Sequence, residues 1–397
     1  MKLIKKNNTK ISNKKLLPFL LSGLILILII LSAVVFFKYF FYKASNQKAT
    51  PAKLIEVKDN FSGQLYFNNE FGKNIFSSVI IEAINQSKKS IELAVYSMDD
   101  TRIRDAVYRA EKRGVKVILI FSDKRKAGHN QIFKDLPLNI KRIDVPSVDG
   151  YMHHKFLIID RGTAQEKLFF GSYNFTYLQE KYDPCFLLET SRPEIIAIFG
   201  QEFDRLVAGL YGRDKLDVNH DPLITRIQYP EGFLEIWFTP QESNGLRERM
   251  MELISGSKQG IKILIWNFTS KSLALDLVNA AKSTSVKIVT DDFNFSLPDS
   301  AFNFLLTEKK NNKLDNLEII TDARRNEEVS KLSGDKNLNS FMHHHLMLID
   351  DQIAIFGTNN WSENGFYHSD ESVMISNISS IVSPFVDTWQ INYDKNK

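Results

Sequence analysis

The 397-residue chain has one cysteine, Cys185, which excludes an intrachain disulfide framework and any cysteine-rich zinc site. An exported location stays open, because domains of this size fold without disulfides. Acidic residues are missing altogether from residues 1–53, which carry ten of the 51 basic residues, all of them lysine. The rest of the chain therefore sets 41 basic against 47 acidic residues, a net of −6. That part lacks the overall positive charge that would by itself mark a nucleic-acid binder. Apolar residues are not scarce: at 43% hydrophobic the chain is not disordered, and its length allows two ordinary domains or one large duplicated domain.

The N-terminus is organised like a membrane anchor. Six lysines lie within residues 1–15, a basic tail, and residues 16–37 form an uncharged run of 22 residues rich in Leu, Ile, Val and Phe. At about 1.5 Å per residue such a run crosses a hydrocarbon core of roughly 30 Å. Phe36, Phe37, Tyr39, Phe40, Phe41 and Tyr42 crowd its far end, where an interfacial belt sits, so the predicted span covers residues 16–42. The run is too long for a secretory signal, and no small-x-small cleavage site follows it. The lysine balance predicts a single pass with the N-terminus cytoplasmic and the bulk of the chain outside. A polar stalk over 43–60 follows.

Beyond the stalk the chain repeats itself. SIELAVYSM (90–98) matches GIKILIWNF (260–268) at an offset of 170, and VKVILIFSD (115–123) matches VKIVTDDF (286–293) at 171. Each pair brackets an amphipathic segment, Asp100–Arg113 and Ser270–Ser283, and each is preceded by another, Ile75–Ser87 and Leu246–Ser257. Helix, strand, helix, strand argues for an α/β architecture with buried strands. Third strands are expected at Ile140–Val145 and Leu317–Thr321. The expected units are 61–211 and 231–397, with 212–230 as linker. About 19 extra residues in the second unit fall in Asp322–Ser340, which reads as a mobile surface loop.

Two histidine stretches carry the chemistry: MHHKFLIID (152–160) and MHHHLMLID (342–350). If each is a strand from its first histidine, His153 and Lys155 share one face with His154 opposite, and His343 and His345 share one with His344 opposite. Gly171-Ser172-Tyr173-Asn174 and Gly357-Thr358-Asn359-Asn360 follow, bringing a hydroxyl and an amide to each face. Neutral and cationic donors without nearby acids suit an anion, and two facing copies suit a phosphodiester. A run of three histidines also suggests a metal, but two at i and i+2 lack the third protein ligand usual for zinc; no metal is expected. Tyr96 and Trp266, at matching strand ends, read as core; Asp99, Asp100, Asp291 and Asp292 read as helix caps or loop holders.

This constellation resembles the phospholipase D superfamily, whose pattern is His-x-Lys-x4-Asp followed by Gly-Ser-x-Asn, in two copies per site. The first copy matches at His153, Lys155, Asp160, Gly171, Ser172 and Asn174, with ten residues rather than six between Asp and Gly. The second matches at His343, Asp350, Gly357 and Asn360 with six, and has His345 for Lys and Thr358 for Ser. The resemblance implies two α/β lobes around one pseudo-twofold site within a single chain, so no obligatory homodimer, and no cofactor. It implies that one imidazole attacks phosphorus while the other protonates the leaving oxygen; His153 is read as the nucleophile and His343 as the acid. Lys155, Asn174 and Asn360 would stabilise phosphoryl charge, and Asp160 and Asp350 would be supports. An acidic residue that orients a histidine is expected after each Gly-Ser-x-Asn: Glu371 in the second copy, but Pro184 in the first, with Asp183 beside it. The expected substrate is a phospholipid head group, with the membrane as partner; nucleic acid, transfer of a phosphatidyl group as in cardiolipin synthesis, and anion binding without catalysis are the alternatives. His345 would leave the second half-site with fewer donors and no fixed charge.

Overall fold

A computed structural model describes residues 53–69, 72–122, 139–147, 149–216, 225–335, 338 and 340–397. Among these no helix is long and apolar enough to cross a membrane; the basic tail, the predicted span at 16–42 and the first part of the stalk lie outside them. The strands are β1 (Lys53–Glu56), β2 (Gln64–Phe67), β3 (Ser90–Val95), β4 (Lys116–Ser122), β5 (Lys141–Val145), β6 (Lys155–Ile159), β7 (Lys167–Gly171) and β8 (Phe186–Thr190). They continue with β9 (Thr225–Tyr229), β10 (Gly232–Thr239), β11 (Gly260–Leu264), β12 (Ser285–Thr290), β13 (Leu317–Thr321), β14 (Leu346–Ile349), β15 (Ile353–Gly357) and β16 (Glu371–Ser376).

One sheet runs β2-β8-β7-β6-β3-β4-β5 and the other β1-β9-β10-β16-β15-β14-β11-β12-β13. Leaving out β1 and β9, the second order repeats the first strand for strand. In each, three parallel strands (β3-β4-β5, β11-β12-β13) adjoin an antiparallel set. Parallel neighbours need crossovers, and the amphipathic segments supply them. Thr101–Lys112 starts at Asp100, whose carboxylate accepts from Arg102 N, and buries Ile103, Ala106, Val107 and Ala110; Lys271–Ala280 starts at Ser270 and buries Leu273, Ala274, Leu277 and Val278. That spacing makes one apolar stripe per helix.

The inner faces of both sheets share one core. Phe156, Ile158, Phe170 and Leu188 meet Ile236, Leu346, Leu348, Phe356 and Met374 around helices Pro193–Val207 and Ser379–Asn396. Separate cores cover the outer faces.

Three expectations are corrected here. The end of the stalk and the end of the linker are strands: β1 pairs parallel with β9, Lys53↔Thr225 to Glu56↔Gln228, so both extend the second sheet. Short runs such as LIE and RIQ satisfy their backbone groups on an open sheet edge, a gain that composition does not display. The inserted segment at Asp322–Ser340 is largely a helix, Ala323–Ser333, ended by Gly334 at φ 74°. Lastly, β6 and β14 begin only at Lys155 and Leu346, so neither His153 nor the 343–345 triplet lies in a strand. His345 has φ 48°, a left-handed conformation that breaks the two-residue alternation.

Candidate active site

The histidine stretches lie where the lobes meet. Residues 151–153 of the first lobe run beside 369–371 of the second: His153 N donates to Asp370 O (2.9 Å), Asp370 N to Tyr151 O (2.8 Å) and Tyr151 N to Ser369 Oγ (3.1 Å). The pseudo-symmetric pair is looser, with Phe341 N donating to Asp183 Oδ1 (3.0 Å) and Ser340 Oγ to Tyr182 O (2.7 Å). The Asp183 carboxylate therefore ties the lobes together by accepting from the Phe341 backbone.

Glu371 reaches across this seam. Its Oε2 lies 2.8 Å from His153 Nδ1 and accepts from Thr358 Oγ1 (2.6 Å). Burial pushes the Glu371 carboxyl up to about 8, against the pull of Lys155, Thr358 and His154. Once ionised, a desolvated carboxylate is a strong acceptor, so it then holds a proton at His153 Nδ1 and aims Nε2 away from itself.

The counterpart of Glu371 in the first lobe is Cys185, not Pro184. Ser172 N donates to Phe186 O as Thr358 N donates to Ser372 O, and Gly171 pairs with Leu187 as Gly357 pairs with Val373. Both glycines are needed for this register: an added Cβ would lie 2.2 Å from the carbonyl oxygen of Phe186 or of Ser372. No carboxylate thus answers Glu371, and His343 Nδ1 has no hydrogen-bond partner. Burial, then the charges of Lys155 and His153, lower the His343 proton affinity well below the ordinary imidazole value.

Lys155 is fully buried, with Nζ donating to His153 O (2.7 Å) and lying 5.7 Å from the Tyr96 ring centre. His345 holds the equivalent sequence position. Its ring packs edge-on against His343, centroids 4.6 Å apart, and both its nitrogens lack partners. It borders a cavity of about 10 Å³ with Asn359, Trp361 and Leu246. Burial, then the charge of His343, keep it neutral. The second half-site therefore has no fixed cation where the first has one.

The remaining predicted residues divide by what they touch. Asp160 accepts from the backbone N–H groups of Lys88, Lys89 and Ser90, and Asp350 from those of Lys258, Gln259 and Gly260 and from Ser257 Oγ. Each pins the turn that starts β3 or β11. Asp160→Ala strips three N–H groups of their acceptor and is expected to cost about 2–4 kcal/mol of stability; a denaturant titration shifted by less than about 1 kcal/mol would contradict this. Ser172 Oγ accepts from Phe186 N (3.1 Å), so Ser172 and Thr358 latch the strands beside the histidines. Asn360 Oδ1 accepts from Trp266 Nε1 (2.6 Å), which leaves its amide nitrogen as a donor; Asn174 is buried, its N bonded to Gln179.

Tyr96 and Trp266 are half-buried walls, not core. The Tyr96 ring lies edge-on to His153 at 4.8 Å and Trp266 lies 5.5 Å from His343. Their matching positions at strand ends were the available signal. From Trp266 the wall continues to Phe341 (5.0 Å) and to Phe293 (6.3 Å), which is 51% exposed. On the other side Tyr96 leads to Tyr151 and a cleft of about 410 Å³ lined by Asp149, Arg213 and His368. Asp99 accepts from Tyr177 N, and Asp291 caps residues 292–295. Among the described residues His154, Glu202 and Asp370 have ligand atoms within 4.8 Å of one another, all buried. That space is taken by the Lys215 ammonium.

Comparisons with known proteins agree with this arrangement. A family model described as "Cardiolipin synthase, PLD-like domain" matches residues 80–207 and 250–389. Phospholipase D of Rickettsia prowazekii (strain Madrid E) is 34% identical over 105 residues, 26% of this chain and 48% of that protein. Mitochondrial cardiolipin hydrolase of Xenopus tropicalis is 32% identical over 124 residues, 30% of this chain and 56% of that protein. The chain thus spans about half the length of these curated relatives. Phosphatidylserine synthase of Haemophilus influenzae Rd KW20 shares the fold at TM-score 0.58 and 15% identity, over 84% of this chain and 86% of that one.

Proposed function

The chain belongs to the phospholipase D superfamily, and from that premise we propose that it is a membrane-anchored phosphodiesterase that hydrolyses a phospholipid head group through a phosphohistidine. The observation that carries the reading is the Glu371–His153 contact at 2.8 Å across the lobes. With its Nδ1 proton held by Glu371, His153 attacks phosphorus through Nε2 and the carboxylate offsets the charge the ring acquires. Lys155 and the amides of Asn174 and Asn360 stabilise charge on the phosphoryl oxygens. His343, charged by proximity to the bound anion, protonates the leaving oxygen and then takes a proton from water, which releases the product.

A phospholipid is favoured over nucleic acid by the apolar wall Trp266–Phe341–Phe293, which leads from His343 to the surface. The net charge of −6 over residues 54–397 weighs against a polyanion. The anchor expected at 16–42 would hold this wall near a bilayer.

The test is to give the full chain, in detergent micelles, labelled phosphatidylcholine, cardiolipin, and single- and double-stranded DNA, all with EDTA. Head-group release that persists in EDTA is the expected result. Cleavage of DNA alone would make it a nuclease, label appearing on added glycerol would make it a transferase, and no turnover by folded protein would leave an anion-binding protein. Loss of activity in EDTA would overturn the metal-free mechanism.

His345→Lys is expected to raise kcat by about tenfold or more, because one added donor at a developing oxyanion is worth up to about 10²–10³. An unchanged kcat would mean that the second half-site does not touch the phosphoryl group.

A further inference from the structure

A buried ionic chain stands directly behind the catalytic pair, and it begins in the segment between the lobes. Lys215 lies in a short 3-10 helix, Gly212–Leu216, with its ammonium fully buried. The ammonium bonds Glu202 Oε1 and, at 2.6 Å, Asp370 Oδ1. Glu202 Oε1 in turn lies 2.9 Å from His154 Nε2, and His154 Nδ1 lies 2.6 Å from Ser372 Oγ. Asp370 Oδ1 also accepts from Gly212 N (2.8 Å). The further charged neighbour is Arg205, 3.8 Å from Glu202 Oε2, and Gln241 reaches the same oxygen at 3.5 Å.

We propose that Lys215 is a positioning residue that sets the His153–Glu371 geometry. The contacts run in register on both sides of that pair. His154 and Ser372 are joined by a side-chain bond one residue beyond His153 and Glu371, and Asp370, one residue before Glu371, receives His153 N through its carbonyl. Lys215 bonds both carboxylates directly: Asp370 stands at one flank of the pair, and Glu202 reaches the other flank through His154. Seam residues 153–154 and 370–372 are therefore fixed to one buried cation.

Three neighbouring carboxylate and imidazole groups are a spacing that elsewhere suits a divalent ion; here the ion is an ammonium supplied by the chain. Nothing equivalent is found behind His343 among the described residues: in the register that sets Cys185 against Glu371, Pro184 answers Asp370 and Phe186 answers Ser372. The positioning is one-sided, and it falls on the histidine read as the nucleophile. The inference rests on that reading for its kinetic consequence only.

The test compares Lys215→Met, Glu202→Gln, and both together. Removing the ammonium alone strands two buried carboxylates and threatens folding; the double variant leaves one and keeps the test usable. The expected result is a folded double variant with kcat lowered by about 10–100-fold at nearly constant KM, as for partners that orient a reacting group from behind, with Glu202→Gln alone changing kcat less. The second readout is the downfield Nδ1 proton resonance of His153 in protein labelled at histidine, expected to move in the double variant and to disappear in Glu371→Gln. A folded double variant with that resonance unmoved overturns the proposal, whether or not any diester is turned over. If the unaltered protein turns over no diester, the proposed function falls, and the resonance still decides the role of Lys215.

Discussion

His153→Ala is expected to lower turnover by about 10⁴-fold or more, the scale on which removing a nucleophile acts. Substrate affinity should hardly change. On the proposed mechanism Nε2 of His153 would form the new bond to phosphorus, whereas Lys155 and the two asparagine amides would bind the anion. A diester with a p-nitrophenolate leaving group separates the two histidines, because that group departs without a proton. With it, His343→Ala should still form the covalent intermediate and then stall, since no base remains to activate water. Radiolabelled phosphorus should stay on the His343→Ala protein after an alkaline quench and be absent from His153→Ala. Label retained by His153→Ala and lost from His343→Ala would reverse the two roles.

Much of this arrangement can be read from the sequence, and the exceptions have physical causes. The repeat offsets, helices 75–86, 101–112, 243–256 and 271–280, and the central strands follow from apolar spacing, since buried faces impose their period on composition. The edge strand β1 and its neighbour β9 do not, because four or five residues are too few to display a period inside a polar connection. Strand alternation grouped His343 with His345 as the structure does, their rings 4.6 Å apart, but for a different reason. His345 takes a left-handed backbone and residues 343–344 turn, so side-chain direction there is set by tertiary contacts across the seam. Glu371 was legible through the family resemblance, which implies an acidic residue after Gly-Thr-Asn-Asn. Its counterpart at Cys185 was not, because counting along one strand misses a register that is fixed by backbone pairing to Ser172. Lys215 carried no signal at all: a lysine in a polar connection reads as solvated until the fold closes around it.

The site is therefore asymmetric, and the asymmetry has a pH signature. His153 and Glu371 are in contact at 2.8 Å, and burial places the Glu371 carboxyl at about 8. The nucleophilic form needs Glu371 ionised beside His153, so the fraction of protein in that form rises with pH toward about 8. As the proposed acid His343 would have to carry a proton, and its affinity is lowered well below the ordinary value, so the form that can donate fades as pH rises. A reaction needing both forms is fastest between the two values, with only a minor fraction of the protein in the reactive protonation state at any pH. Glu371→Gln removes the group that raises the upper value. Its limb should therefore move down toward the ordinary imidazole range near 6.5. The Gln amide also cannot hold the Nδ1 proton and offset the ring's charge as the carboxylate does, so kcat should fall by about 10²–10⁴-fold. Measuring kcat/KM from pH 5 to 9 for both proteins decides the matter: an upper limb that stays near 8 in Glu371→Gln would assign that limb to some other group and remove Glu371 from the mechanism.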